Sequence, residues 1–70
     1  MVEKVHIVKK ERSIKIKFRY NTDLIDIMNE HKGWYFKHDK SWIFPLSKFE
    51  KIKDELIHLM YDVRISKENN

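Results

Sequence analysis

From Ile14 to Tyr20 the chain alternates without a break, with Ile14, Ile16, Phe18 and Tyr20 on one side and Lys15, Lys17 and Arg19 on the other. A period of two marks a strand with one buried face. Upstream, Val5 and Ile7 fit a partner strand. A turn centred on Glu11 and Arg12 sets Ile7 against Ile16 and Val5 against Phe18, the register that matches apolar to apolar across a hairpin. Glu-Arg lacks the Asn-Gly chemistry of favoured two-residue turns, so the strands themselves carry the expectation.

Asn21 is placed to cap a helix over Thr22 to His31, where Leu24, Ile27 and Met28 fall at helical spacing. Asp23 lies near its positive end, and Gly33 marks its stop. Trp34-Tyr35-Phe36-Lys37 and Trp42-Ile43-Phe44 read as an aromatic hairpin turning through residues 38–41, pairing Lys37 with Trp42 and Tyr35 with Phe44. Pro45 ends that strand. Ser47, followed three residues later by Glu50, predicts a capping box for a second helix reaching about Met60, with Phe49, Ile52, Leu56 and Leu59 as its buried stripe. Val63 and Ile65 alternate in a short edge strand over residues 61–65. The order ββαββα(β) predicts a small α+β fold, a mixed or antiparallel sheet of four to five strands with two helices. It forms a single domain over residues 1–65, with a flexible C-terminal tail over 66–70.

With 70 residues there is room for one core and no second domain. The chain has no cysteine, which removes disulfides and thiolate chemistry and fits a reducing, intracellular location. The longest uncharged apolar run, Trp42 to Leu46, is far below the roughly 18 residues of a membrane span, and no signal-peptide pattern opens the chain. One glycine and one proline leave no material for a glycine-rich phosphate loop.

Catalytic and metal-binding constellations are not expected. His6, His31, His38 and His58 show no ligand spacing. Asp23, Asp26 and Glu30 follow the solvated face of a short helix. Ser13, Ser41, Ser47 and Ser66 fall at expected turns, caps or tails and form no nucleophile-and-base pair. The expectation is a binding protein without enzyme activity, cofactor, metal or membrane partner.

Charge changes the picture more than composition does. Residues 1–20 hold seven Lys/Arg against two Glu, a net +5, whereas residues 21–70 hold eight against nine, a net −1. In the expected register the outer face of the first hairpin carries Lys4, His6, Val8, Lys15, Lys17 and Arg19, with Lys9, Lys10 and Arg12 around its turn. Like charges opposed on neighbouring strands destabilise the pair, a cost that a polyanion would relieve. Lysine on exposed strands also serves solubility and edge protection. Within the aromatic hairpin, Tyr35, Trp42 and Phe44 share one side and Trp34, Phe36 and Ile43 the other. If helices cover only one side, the rings on the other can stack on bases. Trp42, Phe44 and Phe36 are expected in the core, and Trp34 is the candidate for stacking.

The stretch from Ile14 to Ile25, then Trp34-Tyr35-Phe36, then Lys40 to Leu46 and Phe49, resembles the HARP (HepA-related protein) domain that accompanies Swi/Snf-type annealing helicases. That domain is similar in turn to the damage-recognition domain of XPB-type helicases. The resemblance spans about residues 5–65, and Lys37 stands where the family usually carries an acidic residue. It implies a small α+β fold that engages DNA at junctions between single and double strands beside a motor. The candidate nucleic-acid-binding residues are Lys15, Lys17 and Arg19, supported by Lys4, Lys9, Lys10 and Arg12, with Trp34 or Tyr35 stacking on unpaired bases. DNA is expected rather than RNA, with a helicase or other protein as a further partner. The alternative is a protein-interaction module or an inhibitory accessory protein docking on a larger enzyme.

Overall fold

The computed structural model describes residues 3–68, so Asn69 and Asn70 of the expected tail lie outside it. Its elements are β1 (Lys4–Lys9), β2 (Ser13–Phe18), α1 (Thr22–Glu30), β3 (Trp34–Phe36), β4 (Ser41–Pro45), a single 3₁₀ turn (Leu46–Lys48), α2 (Phe49–His58) and β5 (Asp62–Lys67). The strands form one mixed sheet in the order β3-β4-β2-β1-β5, with β5 parallel to β1 and every other pair antiparallel. This is the expected α+β class.

The first hairpin forms in the expected register, Val5 opposite Phe18 and Ile7 opposite Ile16. Val5 and Ile7 on β1, Ile14 and Ile16 on β2, and Trp42 and Phe44 on β4 then share one face of the sheet, and all six are buried. Leu24, Ile27 and Met28 of α1 and Phe49, Ile52 and Leu56 of α2 complete that single core. Both helices therefore cover the same side. A direct contact joins them: His31 Nε2 meets the Glu55 carboxylate. Lys48 Nζ donates to the His31 carbonyl at 2.6 Å, placing a cation at the negative end of α1.

The Asn21 side chain accepts from the Asp23 and Leu24 N–H groups at 2.9 and 3.2 Å, the cap expected of it. At the other end Lys32 N–H donates to the Asn29 carbonyl and Gly33 N–H to Met28, which is a Schellman closure. Lys32 takes the left-handed position at φ 60°. Gly33 serves a different purpose: a Cβ there would lie well inside contact distance of the Phe44 ring. α2 closes in the same way, with Met60 left-handed at φ 69° and Tyr61 N–H bonding the Leu56 carbonyl.

Several expectations are corrected. Tyr35 pairs with Trp42 and Phe36 with Ser41, so β3 is shifted two residues from the expected pairing and the turn occupies residues 37–40. The Ser47–Glu50 capping box does not form. Pro45 leads straight into the 3₁₀ turn, Lys48 sits at the N-cap with no side-chain cap bond, and Glu50 bonds Lys53 at 2.9 Å instead. Leu59 leaves the buried stripe because α2 ends at His58, and it is exposed at the C-cap. Phe36 is exposed rather than core, since it lies on the side of the sheet that neither helix covers. β2 ends at Phe18, short of Tyr20, while β5 runs beyond Ile65 and takes Ser66 and Lys67 into the sheet, anchored by Glu68 N–H on the Lys9 carbonyl.

Two substitutions test this packing. Gly33→Ala forces a methyl into the Phe44 ring and is expected to cost about 1–3 kcal/mol. Met60→Gly relieves a left-handed side-chain position and is expected to gain about 0.5–1 kcal/mol. Urea denaturation of both variants against the parent measures each difference.

Candidate functional site

Because the core takes one parity of β1, β2 and β4, the other parity forms an open sheet face that β3 and β5 extend at its edges. Trp34 on β3 stands opposite Ile43 on β4, Ile43 opposite Lys15 on β2, Lys15 opposite Val8 on β1, and Val8 opposite Ser66 on β5. This row crosses the whole sheet. A second row runs Lys17, His6, Arg64, and a third pairs Lys4 with Asp62. The open face is thus divided, with Trp34, Ile43 and Phe36 on the β3–β4 half and Lys15, Lys17, His6, Lys4 and Arg64 on the β2–β1–β5 half. Trp34 is 72% exposed. Aromatic surface beside a cationic field suits a partner with flat apolar faces and a string of anions.

The turn between β3 and β4 leans over this face. Asp39 from that turn meets Lys15 Nζ at 3.1 Å, and the Lys15 side chain is only 19% exposed. The hydrogen bond and charge of Lys15 hold the Asp39 carboxyl below its ordinary range, with Lys17 and Lys10 adding to the effect. A carboxylate therefore already pairs with one of the cations of this face. Arg64, by contrast, folds onto its own strand, bonding Asp62 at 3.2 Å.

The expected site residues do not all meet on this face. Lys4, Lys15, Lys17 and Trp34 do, and Arg19 lies just beyond the end of β2. Lys9 is corrected: it pairs with Ile14, so its side chain takes the helix side and lies 4.8 Å from the Phe49 ring centroid, a cation–π contact. Tyr35 falls on the side that alternation predicts for it, with Trp42 and Phe44. It lies on the helix side against Trp42, ring centroids 5.1 Å apart, because its register partner is a core residue. Lys10 pairs with Glu68 at 3.5 Å. Arg12 is exposed in the first turn, where its carbonyl accepts from Leu46 N–H. His6 and Arg64 join the cationic field, and Arg64 was legible as the polar residue between Val63 and Ile65, which take the other parity of β5. Asp39 had no sequence signal, since its reach across β4 depends on the turn.

Ser41 is fully buried with its Oγ unpartnered. Among the described residues no group of three or more His, Asp or Glu is placed to hold a metal ion, and no helix is long and apolar enough to cross a membrane. No protein-family model, no curated protein and no solved structure matches the chain.

The Asp39–Lys15 bridge carries a pH signature. A carboxyl whose pKa is lowered by folding contributes stability that is present above its ordinary pKa and lost as pH falls through the lowered one. NMR titration of the Asp39 carboxyl is expected to give a midpoint below the ordinary value of 3.8, moving back toward it in Lys15→Met.

Proposed function

We propose that this domain binds nucleic acid on the open face of its sheet, without base-specific readout. The observation that supports this most is the row in which Trp34 and Ile43 abut Lys15, with Lys17, Lys4 and Arg19 continuing the positive charge. Phosphates bind by charge, while unstacked bases lie on Trp34; neither contact reads sequence. A sheet that presents aromatic rings beside cations holds single strands, whose bases are free to splay, whereas the cationic half alone suffices for duplex backbone. The two halves together suit a junction between single and double strands. In this reading the domain is HARP-like, and DNA delivered to an attached or separate motor is the partner, consistent with the element order and the Lys-x-Trp-x-Phe strand at Lys40 to Phe44.

Asp39 then acts as a competitor. Its carboxylate neutralises Lys15 in the free domain, and a phosphate replaces it on binding. The cost is small, because exposed ion pairs of this kind are weak.

A second reading, a protein-interaction module, draws support from Ile57, Leu59 and Met60 around the end of α2 and Ile65 on β5, all exposed. It predicts binding that depends on these residues and responds little to salt.

Fluorescence anisotropy with single-stranded, duplex and forked DNA at several salt concentrations separates the two. Nucleic-acid binding predicts a log–log salt slope of about −3 to −5, for about four to six neutralised phosphates. Lys15→Glu, Lys17→Glu and Arg19→Glu together abolish binding, and Trp34→Ala weakens single-strand binding about tenfold. Asp39→Asn tightens it, and Lys51→Glu, on exposed α2 surface, has the smallest effect. A flat salt response with unchanged affinity in the triple variant would remove this reading.

A further inference from the structure

Two grooves meet at the end of β2, sharing Phe18, Arg19 and Lys40. One, on the edge of the open face, is lined by Lys4, His6 and Lys17 and also by the carboxylates of Glu3 and Asp39. The other lies on the helix side and is apolar. Trp42, 8% exposed, Phe18 and Ile25 line its inner surface, and Tyr35 and Tyr20 stand more exposed around it. Its volume is about 710 Å³, within the usual range for small-molecule sites, roughly 300–1,000 Å³.

We infer that the apolar groove holds one unstacked nucleobase, whose phosphate lies between Arg19 and Lys40 at the junction with the basic groove. The charge distribution selects this occupant. A purely apolar ligand leaves two cations without a counter-charge, and a simple anion leaves the aromatic surface unused. A nucleotide unit satisfies both, with a flat apolar base joined to an anion by a short sugar. Tyr20, 81% exposed, makes little packing contribution where it stands and gains a stacking partner when a base enters. A strand crossing the open face continues through Arg19 and Lys40 and ends with its terminal base in the groove. This deepens, and rests on, the proposed nucleic-acid function, since it supplies the place where an unpaired end is held.

The two tryptophans allow a test that separates the inference from the function beneath it. In the isotope-labelled full chain, the Trp34 indole reports the open face and the Trp42 indole reports the groove. Thymidine 5′-monophosphate and a single-stranded DNA oligomer are titrated separately. Expected are saturable shifts of the Trp42 indole and of Ile25 with both ligands, and about a tenfold loss of oligomer affinity in Tyr20→Ala, an exposed position whose replacement leaves the fold intact. Oligomer binding that moves Trp34 while Trp42 stays silent and Tyr20→Ala changes nothing would overturn the groove and leave the open-face function standing. Response to the mononucleotide without oligomer binding would support the groove and overturn the polymer reading. Silence with both ligands at low salt would overturn both.

Discussion

Among the described residues two helices pack on the five-stranded sheet, and both take the same face. That constraint decides the rest. α1 and α2 lie on the side of the sheet where β1, β2 and β4 project Val5, Ile7, Ile14, Ile16, Trp42 and Phe44. Most residues of opposite parity meet solvent by geometry rather than by individual choice, with Ser41 the buried exception. The His31–Glu55 contact and the Lys48 bond to the His31 carbonyl tie the helices to each other, so the core closes as one layer and the second face stays open.

What that second face displays is set by the same alternation that builds the core. In β2 each buried residue is followed by a lysine, and pairing with β1 adds Lys4 and His6 to the same side. The parallel return of β5 adds Arg64. The hairpin that contributes most to the core thus also concentrates the cations, and the charge asymmetry along the chain becomes an asymmetry in space. On the β3–β4 half the turn supplies a counterweight: Asp39 reaches Lys15 across β4 and lowers the field at its centre. The aromatic residues divide the same way, Trp34 to the open face and Tyr35 to the groove beside Trp42.

The first hairpin was legible in the sequence because a one-residue slip would have turned its whole apolar set outward. The aromatic hairpin was not, and the reason is physical. A two-residue shift keeps every side chain on its own face, so alternation cannot distinguish Tyr35 opposite Phe44 from Tyr35 opposite Trp42. The turn chooses, through Lys40 in the left-handed region at φ 52°. The capping signature at Ser47 and Glu50 was outweighed by the 3₁₀ turn that follows Pro45. Leu59 fitted the helical stripe by spacing, but Met60 ends the helix before the stripe is complete. Of the candidate site, Lys4, Lys15, Lys17 and Trp34 followed from strand parity. Tyr35 takes the helix side with Trp42, as alternation predicts, whereas Lys9, expected at the turn, lies within β1 opposite Ile14 and so takes the helix side too.

The most direct measurement is an amide chemical-shift map of the labelled domain on adding single-stranded DNA at low salt. An open-face binder predicts perturbations along β2 and β1 at Lys15, Lys17 and His6, together with the Trp34 indole, and a quiet α2. Perturbations confined to α2 and the end of β5, or none at saturating DNA, would contradict it.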